Sequence, residues 1–391
     1  MYKGILLFCI FCNFFSPLML KALGIENDNY IMRFIPSFYS SQANVELIII
    51  FVCLVIASFV VKEPIKTRQN VANTIYKFKK GGYFELGIKV FYFVSIAFML
   101  VSSNWGGSTE NRGIGQFELE NRQTFIQGVI SGFYLPFMLY LYIIKVFKNT
   151  NWFVAGGILI YMLHGILSGG RSEVVLSTLI FLMYFYYIRG LSKKKMACFL
   201  GITLIALMFS ANDRFNTSDS VLTNLIVKIV QCNSSSYFLP AVQYAVNQGI
   251  ELSPGIFGMH FVSIFIPSYV YVTVFNVISY TRSTFVFNDL YNTTTDNGLG
   301  FMMLADFFWC FSYYGYILYI IAYYFVVRFF SKNIYSIKPV KVIMAIMAVE
   351  LFCNQRADFG AFIKPFVYTF IFLSILEFLR NYELRQKRRI R

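Results

Sequence analysis

The sequence predicts an all-α polytopic membrane protein, and two patterns carry this prediction. Apolar runs of about 20 residues, long enough to cross a bilayer as helices, recur along the 391-residue chain. Lys and Arg cluster in every second gap between these runs, as the positive-inside rule predicts for cytoplasmic loops. Because 57% of the residues are apolar and 14% are charged, the composition excludes an ordinary soluble domain.

About ten transmembrane helices are predicted, with both termini in the cytoplasm. Their approximate bounds are 4–23, 43–61, 84–103, 126–147, 151–168, 173–190, 195–211, 301–327, 338–354 and 361–379. The chain then divides into a bundle of seven helices (1–211), one large external loop (212–300), three C-terminal helices (301–379) and a basic cytoplasmic tail (380–391).

The stretch 256–278 tests this count, because it is apolar enough to span the membrane. One further span would place the basic tail outside, so we expect the stretch to lie on the membrane surface or to dip into it. Re-entrant backbone is tolerated where protein or water surrounds it.

The net charge of +15 does not indicate a nucleic-acid partner. Of the 34 Lys and Arg residues, 24 fall on the predicted cytoplasmic side, whereas 15 of the 19 Asp and Glu residues fall on the external side. A nucleic-acid surface is not divided into short blocks between apolar helices. The sequence also lacks a Walker loop, a dinucleotide fingerprint and a metal-ligand cluster, so we expect no cofactor and no metal.

Arginine dominates the few basic residues on the external side. Its planar fork of donors suits two oxygens of one phosphate, so these residues are candidates for a diphosphate site, although pairing with nearby acids would also explain them. The four candidates are Arg171, Arg214, Arg282 and Arg356.

Arg171 stands between two predicted spans. Gly169 and Gly170 permit a tight turn, and Ser172 can cap the next helix. An arginine beside an outward helix N-terminus forms a plausible anion site, and a simple helical-hairpin turn is the alternative.

Two acids and one histidine are candidates for proton transfer. Asp306 and Glu350 lie within predicted spans near the external leaflet, where a carboxylate is costly and faces a cavity or a partner. Each could be a general base, hold an arginine, or form a structural ion pair. His260 is the sole external histidine and could accept a proton near neutral pH.

Several short segments resemble Wzy-type O-antigen polymerases, also called oligosaccharide repeat-unit polymerases. The matching segments are Gly169-Gly170-Arg171-Ser172, Asp213-Arg214-Phe215, Ile266-Pro267, Tyr314-Gly315-Tyr316 and Arg356-Ala357-Asp358. The order of these segments around one large external loop is similar to the family layout.

The resemblance implies a GT-C-like integral membrane glycosyltransferase of the bacterial inner membrane with a periplasmic active face. Its substrates would be repeat units on undecaprenyl diphosphate, and its partner a chain-length determinant protein. The arginines would bind the leaving diphosphate, and Asp306, Glu350 or His260 would deprotonate the acceptor hydroxyl.

Three other functions remain open from the sequence. A lipid-linked oligosaccharide flippase would show more spans and no dominant external loop. A membrane O-acyltransferase would need a histidine near the cytoplasmic entry, for which His164 is a poor candidate. An O-antigen ligase would share nearly the same fold.

Overall fold

The computed structural model is a helical bundle. It describes residues 1–22, 41–64, 82–101, 133–147, 149–167, 171–190, 238–250, 254–265, 302–353 and 359–389, with the single residues 192, 194, 198, 201 and 252. These residues contain no β-strand, which confirms the predicted all-α class.

The helices of the described ranges are numbered in chain order. They are α1 (Tyr2–Ala22), α2 (Ser41–Val60), α3 (Tyr83–Val101), α4 (Phe133–Ile144), α5 (Thr150–Leu167), α6 (Arg171–Tyr184), α7 (Phe238–Asn247), α8 (Pro254–Phe265), α9 (Met303–Phe311), α10 (Tyr313–Asn333), α11 (Pro339–Cys353) and α12 (Phe359–Arg389). A π-helical turn, Phe185–Arg189, continues α6.

Four of these helices, α2, α3, α10 and α12, are long and apolar enough to cross a membrane. Shorter apolar helices lie among them, at Tyr2–Phe15 and Thr150–Leu163 for example. On α2, Ile49, Ile56 and Phe59 are exposed on the outside of the bundle, as expected for side chains that face lipid. The polytopic membrane class is confirmed, and the number of spans stays a prediction.

Helix α11 is the central helix of the bundle. It is buried around most of its circumference, as expected of a helix that is apolar on all sides. It packs against α1, α6, α10 and α12. The other helices are arranged around it, with α2 and α9 packed on α10 and with α7 and α8 packed on α9.

The predicted span 301–327 is wrong as a single helix, because the chain breaks at Ser312 into α9 and α10. Ser312 has a φ of 52°, which is unfavourable for a residue with a Cβ atom. Gly315 then allows a close approach, since a Cβ atom there would lie 2.1 Å from the carbonyl oxygen of Phe307. The ring of Phe308 stacks on that of Tyr316 at 5.1 Å between centroids. Helix α9 therefore folds back on the start of α10.

One further predicted bound needs correction. The last helix was predicted over 361–379, but α12 continues to Arg389 and takes in most of the tail 380–391. Within the stretch 256–278, the described part belongs to α8, which packs against α9 and α12. The predicted helix 195–211 lies outside the described residues, apart from single positions.

Candidate active site

Described contacts bring several predicted cytoplasmic segments together at one end of the bundle. Lys3 Nζ donates a hydrogen bond to the carbonyl oxygen of Val61 at 2.6 Å and forms a salt bridge with Glu63 at 3.0 Å. Ser331 Oγ at the end of α10 donates to the carbonyl oxygen of Lys62 at 2.7 Å. We call this the basic end, and its contacts agree with the predicted alternation of basic gaps.

Contacts among α3, α4 and α12 also agree with the predicted alternation of basic gaps. The backbone N–H of Phe84, at the start of α3, donates to Glu383 Oε2 at 2.9 Å. Tyr140 OH, near the end of α4, donates to Glu377 Oε2 at 3.0 Å. Because both acids lie in the C-terminal part of α12, these three helix ends meet far from the residue at which α12 begins.

The opposite end of the bundle holds a polar cluster centred on Glu46 near the start of α2. Tyr316 OH and Gln243 Nε2 each donate a hydrogen bond to Glu46 Oε2 at 2.5 Å. Gln42 Nε2 donates to Glu46 Oε1 at 3.1 Å and lies 3.5 Å from Tyr313 OH. These side chains come from α2, α7 and α10, so the cluster joins three helices. We call this region the Glu46 end.

Asp306 lies on α9 and is fully buried. Its Oδ2 accepts a hydrogen bond from the backbone N–H of Phe359 at 2.8 Å, and its Oδ1 lies 4.0 Å from Cys310 Sγ. Because Phe359 is the first residue of α12, the carboxylate satisfies an N–H group that the helix itself leaves unpaired, and its charge favours the positive end of the helix dipole. Asp306 therefore fixes the start of α12 against α9.

Glu350 lies on the central helix α11 and is 3% exposed. Among the described residues, its carboxylate has no hydrogen bond or salt bridge in the structure. Cys353, about one turn further along α11, is also buried. Glu350 therefore lies inside the bundle.

The remaining predicted site residues are described only in part. Arg171 is the first residue of α6 and His260 lies within α8, while their side chains fall outside the described atoms. Arg214, Arg282 and Arg356 lie outside the described residues altogether. Their assignment to a diphosphate site stays a prediction.

The sequence reasoning missed the Glu46 cluster. An acid within the predicted span 43–61 is itself a signal of a functional site, and Glu46 meets that criterion. Tyr316 was noticed only as part of the segment Tyr314-Gly315-Tyr316, and Gln243 was not singled out. Among the described residues, no group of three or more His, Cys, Asp or Glu side chains could hold a metal ion.

The family comparison favours one of the open functions. The family model for O-antigen polysaccharide polymerase Wzy matches residues 3–386, nearly the whole chain. The chain belongs to this family. Membership in the Wzy family confirms the resemblance in the sequence and supports a role as an O-antigen polymerase in a membrane. Comparison with curated proteins and with solved structures gives no match.

Proposed function

We propose that this protein polymerises O-antigen by transferring a glycan from undecaprenyl diphosphate onto a new lipid-linked repeat unit at the periplasmic face of the inner membrane. The observation that carries the proposal is the Wzy family match over residues 3–386. The separation of a basic end from the Glu46 end supports the sidedness, because Lys- and Arg-rich segments favour the cytoplasm. Both termini are then cytoplasmic, and the Glu46 end faces the periplasm.

The reaction needs no nucleotide or metal to activate the donor, because the sugar already carries a diphosphate leaving group. The enzyme must stabilise the charge that develops on this diphosphate and accept the proton of the attacking hydroxyl. We assign the first task to Arg171, Arg214, Arg282 and Arg356. For the second, the candidates are Asp306, Glu350 and His260.

The geometry favours a positioning role for Asp306. Its Oδ2 is already bonded to the N–H of Phe359, and Phe359 follows Arg356 by three residues. The carboxylate would therefore hold the segment that carries Arg356 in place. It would not act as the proton acceptor. Proton acceptance then falls to Glu350 or His260, and a chain-length determinant protein is the partner that would set the number of transfers.

Deletion of the gene tests the proposed function. We expect surface glycan that ends at a single repeat unit, and restoration of the long-chain ladder when the wild-type gene is supplied on a plasmid. Persistence of long chains would contradict the proposal. Complete loss of surface glycan would indicate a flippase, and accumulation of long lipid-linked chains that never reach the lipid A core would indicate a ligase.

A conservative substitution tests the diphosphate site. Arg171→Lys keeps the charge but removes the planar fork, so we expect much shorter chains at normal expression. The matched control is Arg328→Lys at the basic end, where the guanidinium forms an exposed hydrogen bond with Tyr324 OH at 3.3 Å. Equal chain lengths in the two variants would remove Arg171 from the diphosphate role.

A further inference from the structure

The Glu46 cluster contains a negative charge that the contacts between helices do not require. Among the described residues, every partner of the Glu46 carboxylate is neutral: Gln42, Gln243 and Tyr316. A glutamine carbonyl could accept the same bonds from Gln243 and Tyr316. Since a carboxylate near the end of an apolar helix is costly, its presence points to a ligand that prefers a charged acceptor.

The carboxylate also has capacity for such a ligand. Its two oxygens offer about four acceptor sites, and the described partners use three of them. Glu46 and Gln243 are only partly buried, whereas Gln42 is exposed. A small donor can therefore approach the Oε1 side without displacing Tyr316, which is buried.

The chemistry of the cluster selects hydroxyl groups over phosphates. A carboxylate repels a phosphate oxygen, but it accepts a short, strong hydrogen bond from an O–H donor. The two carboxamides can donate and accept at neighbouring ring hydroxyls. Beside them, Tyr313 OH lies 3.5 Å from Gln42 Nε2. The ring of Tyr313 is 58% exposed, and its amphipathic face suits the C–H face of a sugar ring.

The cluster is joined to Asp306 through a short rigid connection. Tyr316 stands on α10 and Asp306 on α9, the two arms of the hairpin that turns at Ser312. Phe308, two residues from Asp306, stacks on Tyr316. A sugar held at Glu46 would thus contact the same helical hairpin whose Asp306 holds the start of α12.

We propose that Glu46, Gln243 and Tyr316, flanked by Tyr313, form a subsite that binds the uncharged hydroxyl groups of a sugar in the acceptor repeat unit. The identity of this substrate rests on the proposed function. The subsite is separate from the arginine site for the diphosphate, and Glu46 binds and positions the sugar rather than accepting its proton.

The test compares Glu46→Gln and Tyr316→Phe with the control Glu63→Gln, an acid at the basic end whose side chain is 61% exposed. The full-length protein in lipid nanodiscs is assayed for polymerisation of lipid-linked repeat units and for binding of the free, lipid-less repeat-unit oligosaccharide by saturation-transfer NMR. We expect both Glu46 end variants to raise KM for the acceptor by about tenfold with little change in kcat. We expect Glu63→Gln to behave as wild type.

The other results overturn either the subsite or the proposed function. A fall in kcat at unchanged KM would make Glu46 a proton acceptor, and unchanged KM and kcat would leave it without a role. If a variant loses both its thermal stability and its sugar binding, the cluster has only a structural role. If Glu46→Gln does not fold, Tyr316→Phe, which keeps the ring stack, shows whether the cluster binds sugar. Oligosaccharide binding by a wild-type protein that does not polymerise would reject the proposed function but keep the subsite, whereas polymerisation that does not depend on Glu46 or Tyr316 would reject the subsite alone.

Discussion

The two ends of the bundle use charge in different ways. At the basic end, carboxylates accept bonds from N–H and hydroxyl groups and also form ion pairs, as Glu63 does with Lys3 and as Glu377 does with Arg380 on the same helix. At the other end, the carboxylates of Glu46 and Asp306 accept bonds from amide N–H and hydroxyl groups. Substitutions of charged residues at the basic end should therefore alter stability alone, whereas substitutions at the Glu46 end should also alter polymerisation.

Gly315→Ala should have the largest effect, because the hairpin of α9 and α10 supports both acids of the Glu46 end. The added Cβ would meet the backbone of Phe307, which cannot move as a side chain would, and overpacking of this kind costs about 1–3 kcal/mol or more. We expect loss of most folded protein in fluorescence-detected size-exclusion chromatography after heating. Gly156→Ala on α5 is the control, since nothing lies within 4 Å of its added Cβ. Equal unfolding temperatures would contradict the close packing of α9 on α10.

Asp306→Ala should have the second-largest effect. We expect the free energy of unfolding to fall by about 1–3 kcal/mol, because the N–H of Phe359 loses its acceptor, and we expect long glycan chains to be lost. Asp306→Asn keeps a carbonyl oxygen that can accept the same bond. Recovery of both stability and chain length in the Asn variant would support a positioning role. Recovery of stability alone would show that the carboxylate itself takes part in the reaction, and the comparison is read from thermal unfolding and from glycan ladders.

Glu377→Gln should have a smaller effect, confined to stability. Arg380 is 8% exposed and loses its carboxylate partner, but the pair lies near one end of the bundle, so we expect about 1 kcal/mol, well below the cost of breaking a fully buried pair. Thermal unfolding should shift down while the glycan ladder of the remaining folded protein keeps its modal length. A changed modal length would show that the basic end also influences polymerisation.

Lys3→Met should have the smallest effect. The Glu63 partner is 61% exposed, and pairs of this kind contribute at most about 1 kcal/mol. We expect a minor shift in thermal unfolding, diminished further at high salt, with unchanged glycan chains. A loss of polymerisation at normal expression would contradict the division of roles between the two ends.

The sequence predicted most helix bounds because long apolar runs end at charged gaps. The run of α2, for example, is followed by Lys62 and Glu63, and its predicted bounds of 43–61 compare with Ser41–Val60. The break at Ser312 could not be found in this way. Serine alone does not stop an apolar run, and the contact that defines the turn, between Gly315 and Phe307, exists only in the folded bundle.

The candidate site was predicted less completely for a similar reason. Asp306 and Glu350 were recognised as acids in apolar helices, but the bond from Asp306 to Phe359 joins residues 53 positions apart. Gln243 meets Glu46 across 197 positions, a separation at which helical periodicity carries no information. The sequence is sufficient to identify Glu46, since it is an acid in an apolar run. It is not sufficient to identify the partners of Glu46.

The length of α12 has a practical consequence for labelling this protein. Its 31 residues extend about 46 Å at 1.5 Å per residue, whereas the hydrocarbon layer is about 30 Å thick. A helix of this length that crosses the hydrocarbon layer continues past the lipid, and its last turns carry Arg385, Lys387 and Arg388. A fluorophore or affinity handle attached after Arg391 would be carried clear of the bilayer surface, where detergent micelles and lipid headgroups obstruct it least.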